Sequence, residues 1–201
     1  DLAFEDAREH ADAGAALLGR FPPLSRVAEV VRLHHTPWDD PERLSVDAST
    51  ALLANVIFLS DRVDVQLFAS RDRDPLLETG EIRRWAFSRS GTAFSEAAVG
   101  AFLEASAAEA FWLTLEPHHL ERALRDEMRA GRRRDVSLAE LGELALVFAE
   151  IVDGKSPFTA SHSVAVARLS ELLGRLAGLD AGTCAKLRIA GLLHDLGKLR
   201  V

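Results

Sequence analysis

Apolar residues recur along this chain three or four positions apart, and nowhere do they alternate with the two-residue period of a strand. Ala13, Ala16, Leu17 and Leu18 make one face of a first helix, which the Phe21-Pro22-Pro23 turn ends. A second helix runs from about Ser25 to His35 with Val27, Val30 and Val31 as its inner face, and Pro37 stops it. A third covers roughly Asp47 to Leu67, with Ser45 or Asp47 as its cap. Gly80 to Phe111 holds two or three shorter helices, broken near Ser90-Gly91, and Glu116 to Arg129 is another. The Gly131-Arg132-Arg133-Arg134 stretch is a turn and the best internal boundary. Beyond it, Ser137 to Val152 reads as a helix opened by a capping box of Ser137 and Glu140. Helices over Thr159 to Ala177 and Ala181 to Leu193 complete the set, with Gly178 as a C-terminal cap between them. The pattern predicts an all-α fold.

Composition narrows the function. The 201 residues suit one large domain or two small ones, and 48% hydrophobic residues can bury a core. A net charge of −7 argues against a nucleic-acid partner, because phosphate backbones need a basic face. It leaves room for a nucleotide substrate, since a bound metal can supply the local positive charge. Cys184 is the only cysteine, which excludes an internal disulfide and a thiolate zinc site and fits a reducing, cytoplasmic setting. No signal peptide and no apolar run of about 18 residues is present, so no membrane span is expected. The chain opens on Asp1 and stops at Val201 straight after a motif, so it reads as a segment of something longer.

Histidine and aspartate carry the candidate chemistry. His194-Asp195-Leu196-Gly197-Lys198 follows the apolar run Ile189 to Leu193, which should be a buried helix. An adjacent His and Asp there can offer an imidazole nitrogen and a carboxylate oxygen to metal ions, and Lys198 could meet a phosphate oxygen. The plainer alternative is a helix C-terminus where His and Lys merely complement the dipole. His162, near the start of the preceding helix, makes a ligand pair with His194 the better reading. His34 and His35 end a helix, and consecutive helical side chains point about 100° apart. They can reach one site from neighbouring directions, or form a solvated last turn. His10 lies one helix earlier. Asp61 has apolar neighbours, so its carboxylate needs a metal or a pairing partner, for which Arg62 is at hand. His118 and His119 read as surface residues.

These residues resemble the HD and HD-GYP metal-dependent phosphohydrolases. Phe158 to Val201 looks like the family's opening: a helix carrying T-x-x-H-S, here Thr159, His162 and Ser163, then a helix ending in H-D-x-G-K, here His194 to Lys198. Glu5 to Leu67 looks like the family's continuation. His10 with Gly14, the paired His34-His35, Trp38-Asp39, and Asp61 with Asp64 each fit in order. Gly91 to Phe94, Val99 and Phe102 resemble the closing segment. The resemblance implies an HD-domain helical bundle whose parts come in reversed order. Residues 1–130 would be the closing part of a degenerate module, and residues 131–201 the opening part of a second. A tandem protein with two modules explains that order, and a single permuted module is the alternative. Two departures matter. The glycine-rich stretch ending in Gly-Tyr-Pro after the paired histidines is replaced by Thr36 to Pro41, and tyrosine is absent altogether. Phe158 stands where some members carry a glutamate for an extra metal, so at most two metals are expected.

By resemblance, the activity is metal-dependent hydrolysis of a phosphodiester, with a cyclic dinucleotide such as cyclic di-GMP as substrate. Two divalent ions, of iron, manganese or another transition metal, would activate a water. His162, His194 and Asp195 would be ligands in the second module, with Asp195 and Lys198 also catalytic. His10, His34, His35 and Asp61 would be their counterparts in the first. Alternatives are a non-catalytic HD signalling module and an HD enzyme acting on nucleoside phosphates. A homodimer or a regulatory domain outside the segment would be the partner.

Overall fold

The computed structural model describes residues 2–69, 75–131, 135–154 and 161–200. These are helical throughout, and their only β-type pairing is an isolated bridge between Ser90 and Phe94. None of these helices is long and apolar enough to cross a membrane. Two compact units divide the chain: residues 1–16 with 26–133, and residues 17–25 with 134–201. The turn expected at Arg132 to Arg134, and the Phe158 and Thr159 positions, lie outside the described residues.

The first unit contains α1 (Leu2–Gly19, up to Ala16), α2 (Ser25–Arg32, from Arg26), α3 (Ala48–Ala69), α4 (Pro75–Phe87), α5 (Glu96–Ala105), α6 (Glu109–Thr114) and α7 (Pro117–Ala130). A single 3-10 turn at Pro41–Ser45, which helical periodicity does not reveal, precedes α3. Asp47 caps α3, with its carboxylate accepting from the backbone N–H groups of Ser49 and Thr50 at 3.0 and 3.1 Å. The core joins Leu59 and Val63 of α3 with Ile82 and Ala86 of α4, Phe94, Val99 of α5 and Trp112 of α6. Asn55, 2% exposed, is the polar pin of this core. Its amide donates to the Ala93 carbonyl at 2.9 Å and accepts from the Ser95 N–H at 2.8 Å, so α3 holds the turn that leads into α5. Gly91, at φ +79, makes that turn, where the sequence placed a break. The segment after the paired histidines lies along the same turn, with Trp38 N–H donating to Ala93 and Asp39 N–H to Thr92.

Three expectations in this unit are corrected. Ala13 and Ala16 are exposed, whereas Ala11 of α1 is buried, at 1% exposed. The contact face is set by close approach to α2: a Cβ on Gly14 would lie 3.2 Å from a Val31 methyl. Val27 is likewise exposed, while Val30 and Leu33 enter the core with Ala54. The second helix also stops at Arg32 rather than His35. The Val31 carbonyl takes the His34 N–H and the His34 Nδ1 instead of continuing the helical ladder, and Pro37 disfavours helical backbone at Thr36.

The second unit is built on α8 (Leu138–Gly154), α9 (His162–Leu176) and α10 (Ala181–Leu193), followed by a 3-10 turn at Leu196–Arg200. The capping box expected at α8 is present: Glu140 N–H donates to Ser137 Oγ at 3.2 Å, and Ser137 N–H returns a bond to the Glu140 carboxylate at 3.0 Å. Gly178, at φ +80, closes α9 in a Schellman motif, with Gly178 N–H on Arg175 O and Leu179 N–H on Gly174 O. Asp180 then caps α10 through Thr183 N–H at 3.0 Å. Ala145 and Ala149 of α8 pack with Ala167 of α9 and Leu192 of α10. The small residues let backbones approach. A Cβ on Gly191 would lie 2.6 Å from Ala167 Cα, closer than real atoms come, so only glycine permits this crossing of α9 and α10.

Candidate metal centres

In the second unit the crossing at Gly191 sets the position of two histidines. His162 is the first residue of α9, and His194 caps the C-terminus of α10. Their Nε2 atoms face each other at 3.2 Å. His194 Nδ1 lies 2.9 Å from the Gly191 carbonyl, which can only accept, so Nδ1 carries a proton and Nε2 is the nitrogen turned toward His162. Two imidazole nitrogens at this distance repel unless a proton or a cation lies between them. Asp195 Oδ2 completes the group, 3.3 Å from His194 Nε2 and 3.8 Å from His162 Nε2. Lys198 closes it from the following turn, with Nζ 2.6 Å from the same Oδ2. The Lys198 hydrogen bond, aided by the charges of His194 and His162, holds the Asp195 carboxyl below its usual range against some desolvation.

The donor set fits a divalent transition metal. Two nitrogens about 2.1 Å from one ion stand about 3.0 Å apart at octahedral angles and about 3.4 Å apart at tetrahedral ones. The 3.2 Å Nε2–Nε2 separation falls in that interval. One atom from each of His162, His194 and Asp195 lies within 4.8 Å of the others.

The first unit assembles a second group. His10 comes from α1, and His34 and His35 from the turn after α2, with one nitrogen of each within 4.8 Å of the others. His10 Nε2 and His35 Nε2 are 3.0 Å apart, and the His34 and His35 rings lie 3.9 Å centre to centre, tilted by 41°. Because α2 has already ended, the two neighbours share a turn rather than diverging around a helix. The Val31 carbonyl, 2.5 Å from His34 Nδ1, fixes that ring as Gly191 fixes His194. Burial against Phe58, followed by the field of His34 and His10, pushes His35 down to about 4, against the opposing pull of Asp61. A neutral His35 at physiological pH is in the form a metal accepts.

Asp61 stands at the edge of this group. Its Oδ2 is 4.0 Å from His35 Nδ1, and Arg62 grips the same oxygen through Nε at 2.8 Å and a terminal nitrogen at 2.5 Å. The charge partner foreseen for it is therefore engaged, and Asp61 is not among the three converging ligands. Asp64 is exposed and lines an apolar cavity of about 390 Å³ with Val56, Leu59, Phe102 and Phe111. His119 is exposed, as expected.

One buried polar residue beside the site escaped the sequence reading. Asp153, in the last turn of α8, is 4% exposed and accepts from Ser163 N–H at 3.1 Å and Ser163 Oγ at 2.8 Å, in the turn that carries His162. A signal existed: an acidic residue in a helix's C-terminal turn opposes the dipole, so its presence needs another cause.

Residues 159–201 match the model of the HD domain family. Over 205 aligned residues the chain is 30% identical to the 3'3'-cGAMP-specific phosphodiesterase 1 of Vibrio cholerae serotype O1, covering 97% of this chain and 46% of that protein. A 58-residue stretch is 45% identical to the 3'3'-cGAMP-specific phosphodiesterase 3 of the same organism, covering 29% of this chain and 13% of that protein. Among solved structures, the crystal structure of a cyclic GMP-AMP-specific phosphodiesterase of Vibrio cholerae superimposes with a TM-score of 0.67 at 25% identity, over 98% of this chain and 46% of that one. The chain thus spans less than half the length of the relatives it matches.

Proposed function

We propose that this chain, whose residues 159–201 match the HD domain family, is part of a metal-dependent phosphodiesterase of cyclic dinucleotides, with His162, His194 and Asp195 as metal ligands and Asp195 and Lys198 as catalytic groups. The observation that carries this reading is the facing Nε2 pair of His162 and His194 beside Asp195, with the His194 tautomer fixed by Gly191. A divalent ion held by those three side chains would supply Lewis acidity toward a phosphoryl oxygen and toward water. The chain's own contribution is positional. Ser163, tied to Asp153, places the turn that carries His162, Gly191 orients the His194 ring, and Asp195 would balance the ion's charge. Lys198, a single cation on a flexible stem beside Asp195, is placed to take a non-bridging phosphate oxygen. Hydrolysis adds one water across a P–O bond and opens the ring, so no protein nucleophile is consumed. Cys184, the remaining soft nucleophile, is buried.

Substrate choice follows the relatives. Those matched here are named for 3'3'-cyclic GMP-AMP, which makes that mixed dinucleotide the first candidate, ahead of cyclic di-GMP. The order of parts is read as a tandem arrangement, residues 1–130 closing one module and residues 131–201 opening another. A ligand group inside each unit supports that reading. The test is metal analysis of the purified protein combined with chromatography of products from 3'3'-cyclic GMP-AMP, cyclic di-GMP and bis(p-nitrophenyl) phosphate. Metal-dependent cleavage that His194→Ala abolishes is the expected result. Metal-loaded protein that cleaves none of the three would favour a non-catalytic signalling role.

A further inference from the structure

We infer that Asp153 is a positioning residue for His162, acting through Ser163; the inference rests on the reading of His162 as a metal ligand. The N-terminal turn of α9 lacks a local cap. Ser161 precedes His162 in the N-cap place, and its side chain caps nothing. The N–H of Ser163 in that turn would otherwise go without an intrahelical acceptor in a place with no water, because Ser163 is 0% exposed. Asp153 reaches across from α8 and takes both that N–H, at 3.1 Å, and the Ser163 hydroxyl, at 2.8 Å. A carboxylate on a neighbouring helix therefore does the work of the missing cap. It also makes two bonds to one residue, which fixes rotation as well as position.

The consequence falls on the adjacent residue. The imidazole of His162 is 44% exposed and has little packing of its own to hold it. Its place opposite His194 depends on where the first turn of α9 begins. That start is set from two directions: Asp153 ties the turn to α8, and the Gly191–Ala167 contact ties the next turns to α10. Partners one step removed from metal ligands are worth about 10–100-fold in metal affinity when lost. Asp153 acts one bond further out, on the backbone that carries the ligand.

Cobalt(II) titration of the full chain, followed by the visible absorption of the bound ion, reads the ligand set directly. Nuclear Overhauser contact between the His162 and His194 rings in the metal-free protein reads the geometry without metal. Asp153→Ala is expected to weaken cobalt binding about tenfold or more and to lose the ring contact. Asp153→Asn keeps an acceptor for the Ser163 N–H and should stay within about threefold of the parent, while Ser163→Ala should fall between the two. Cobalt binding by Asp153→Ala within about twofold of the parent, with the ring contact kept, overturns the inference. So does an Asn variant as damaged as the Ala variant, because charge rather than placement would then matter. If Asp153→Ala does not fold, parent-like behaviour of Ser163→Ala overturns it. A parent that binds no cobalt while its ring contact persists refutes the metal reading alone, and loss of that contact in Asp153→Ala then still supports the positioning role.

Discussion

The two histidine groups are built alike and finished differently. Each contains a pair of facing Nε2 atoms, at 3.2 Å between His162 and His194 and 3.0 Å between His10 and His35. Each has one ring fixed by a carbonyl three residues back, Gly191 for His194 and Val31 for His34. The difference lies in the carboxylate. Asp195 sits among its histidines with a lysine, which makes a point contact and can turn away. Asp61 is held through two guanidinium nitrogens of Arg62 and lies 4.0 Å from the nearest imidazole nitrogen. A planar two-point grip is harder to exchange for a metal than a single ammonium contact. The lesson is that two histidine groups of like geometry can differ in what holds the carboxylate beside them.

The largest effect should separate the two groups outright. On the proposed reading, His194→Ala should lower metal-dependent cleavage by at least about a hundredfold and lower the metal content, while His10→Ala leaves the metal at His194 in place. Metal counting on both variants checks this, and equal losses would erase the distinction. Next comes the crossing that only the second group uses. Gly191→Ala drives a methyl into the backbone of Ala167 and should cost about 1–3 kcal/mol, read as a lower unfolding midpoint, together with weaker metal binding. A neutral outcome would mean that α9 and α10 are free to separate.

Arg62→Ala tests the other half of the comparison. Releasing Asp61 should raise the affinity of the His10, His34 and His35 group for nickel or cobalt by about tenfold, the reverse of the usual effect of deleting a residue near a site. Calorimetric titration would show it, and an unchanged affinity would mean that Asp61 is out of reach whatever holds it.

The smallest effect is in pH. Unfolded His35 takes a proton near 6.5 and folded His35 near 4, so between these values the unfolded chain binds the extra proton. Stability of the first unit should therefore rise as pH climbs from about 4 to about 6.5 and be lost on the way down. Amide exchange in α2 and α3, followed with pH, should show a slope that His35→Gln flattens. An unaltered slope in that variant would place the titration elsewhere.

What the sequence determined by itself was local. All-helical periodicity, the Ser137–Glu140 box, the Gly91 break and the Gly178 cap depend on residues within a few positions of one another, and the structure shows each. The grouping of His162 with His194-Asp195 was legible because two short motifs flank one helix and one turn. Only tertiary structure decided the rest. Which face of α1 is buried depended on Gly14 meeting Val31, not on the count of alanines, so Ala11 rather than Ala13 went inside. Asp61 had its two partners adjacent in one case and distant in the other, and only geometry could say that Arg62 holds it while His35 stays 4.0 Å away. Asp153 meets Ser163 only where α9 packs on α8. Hydrogen bonds and close backbone contacts are short-ranged in space and indifferent to sequence separation, so a pattern read along the chain detects the first few neighbours and leaves the distant ones to the fold.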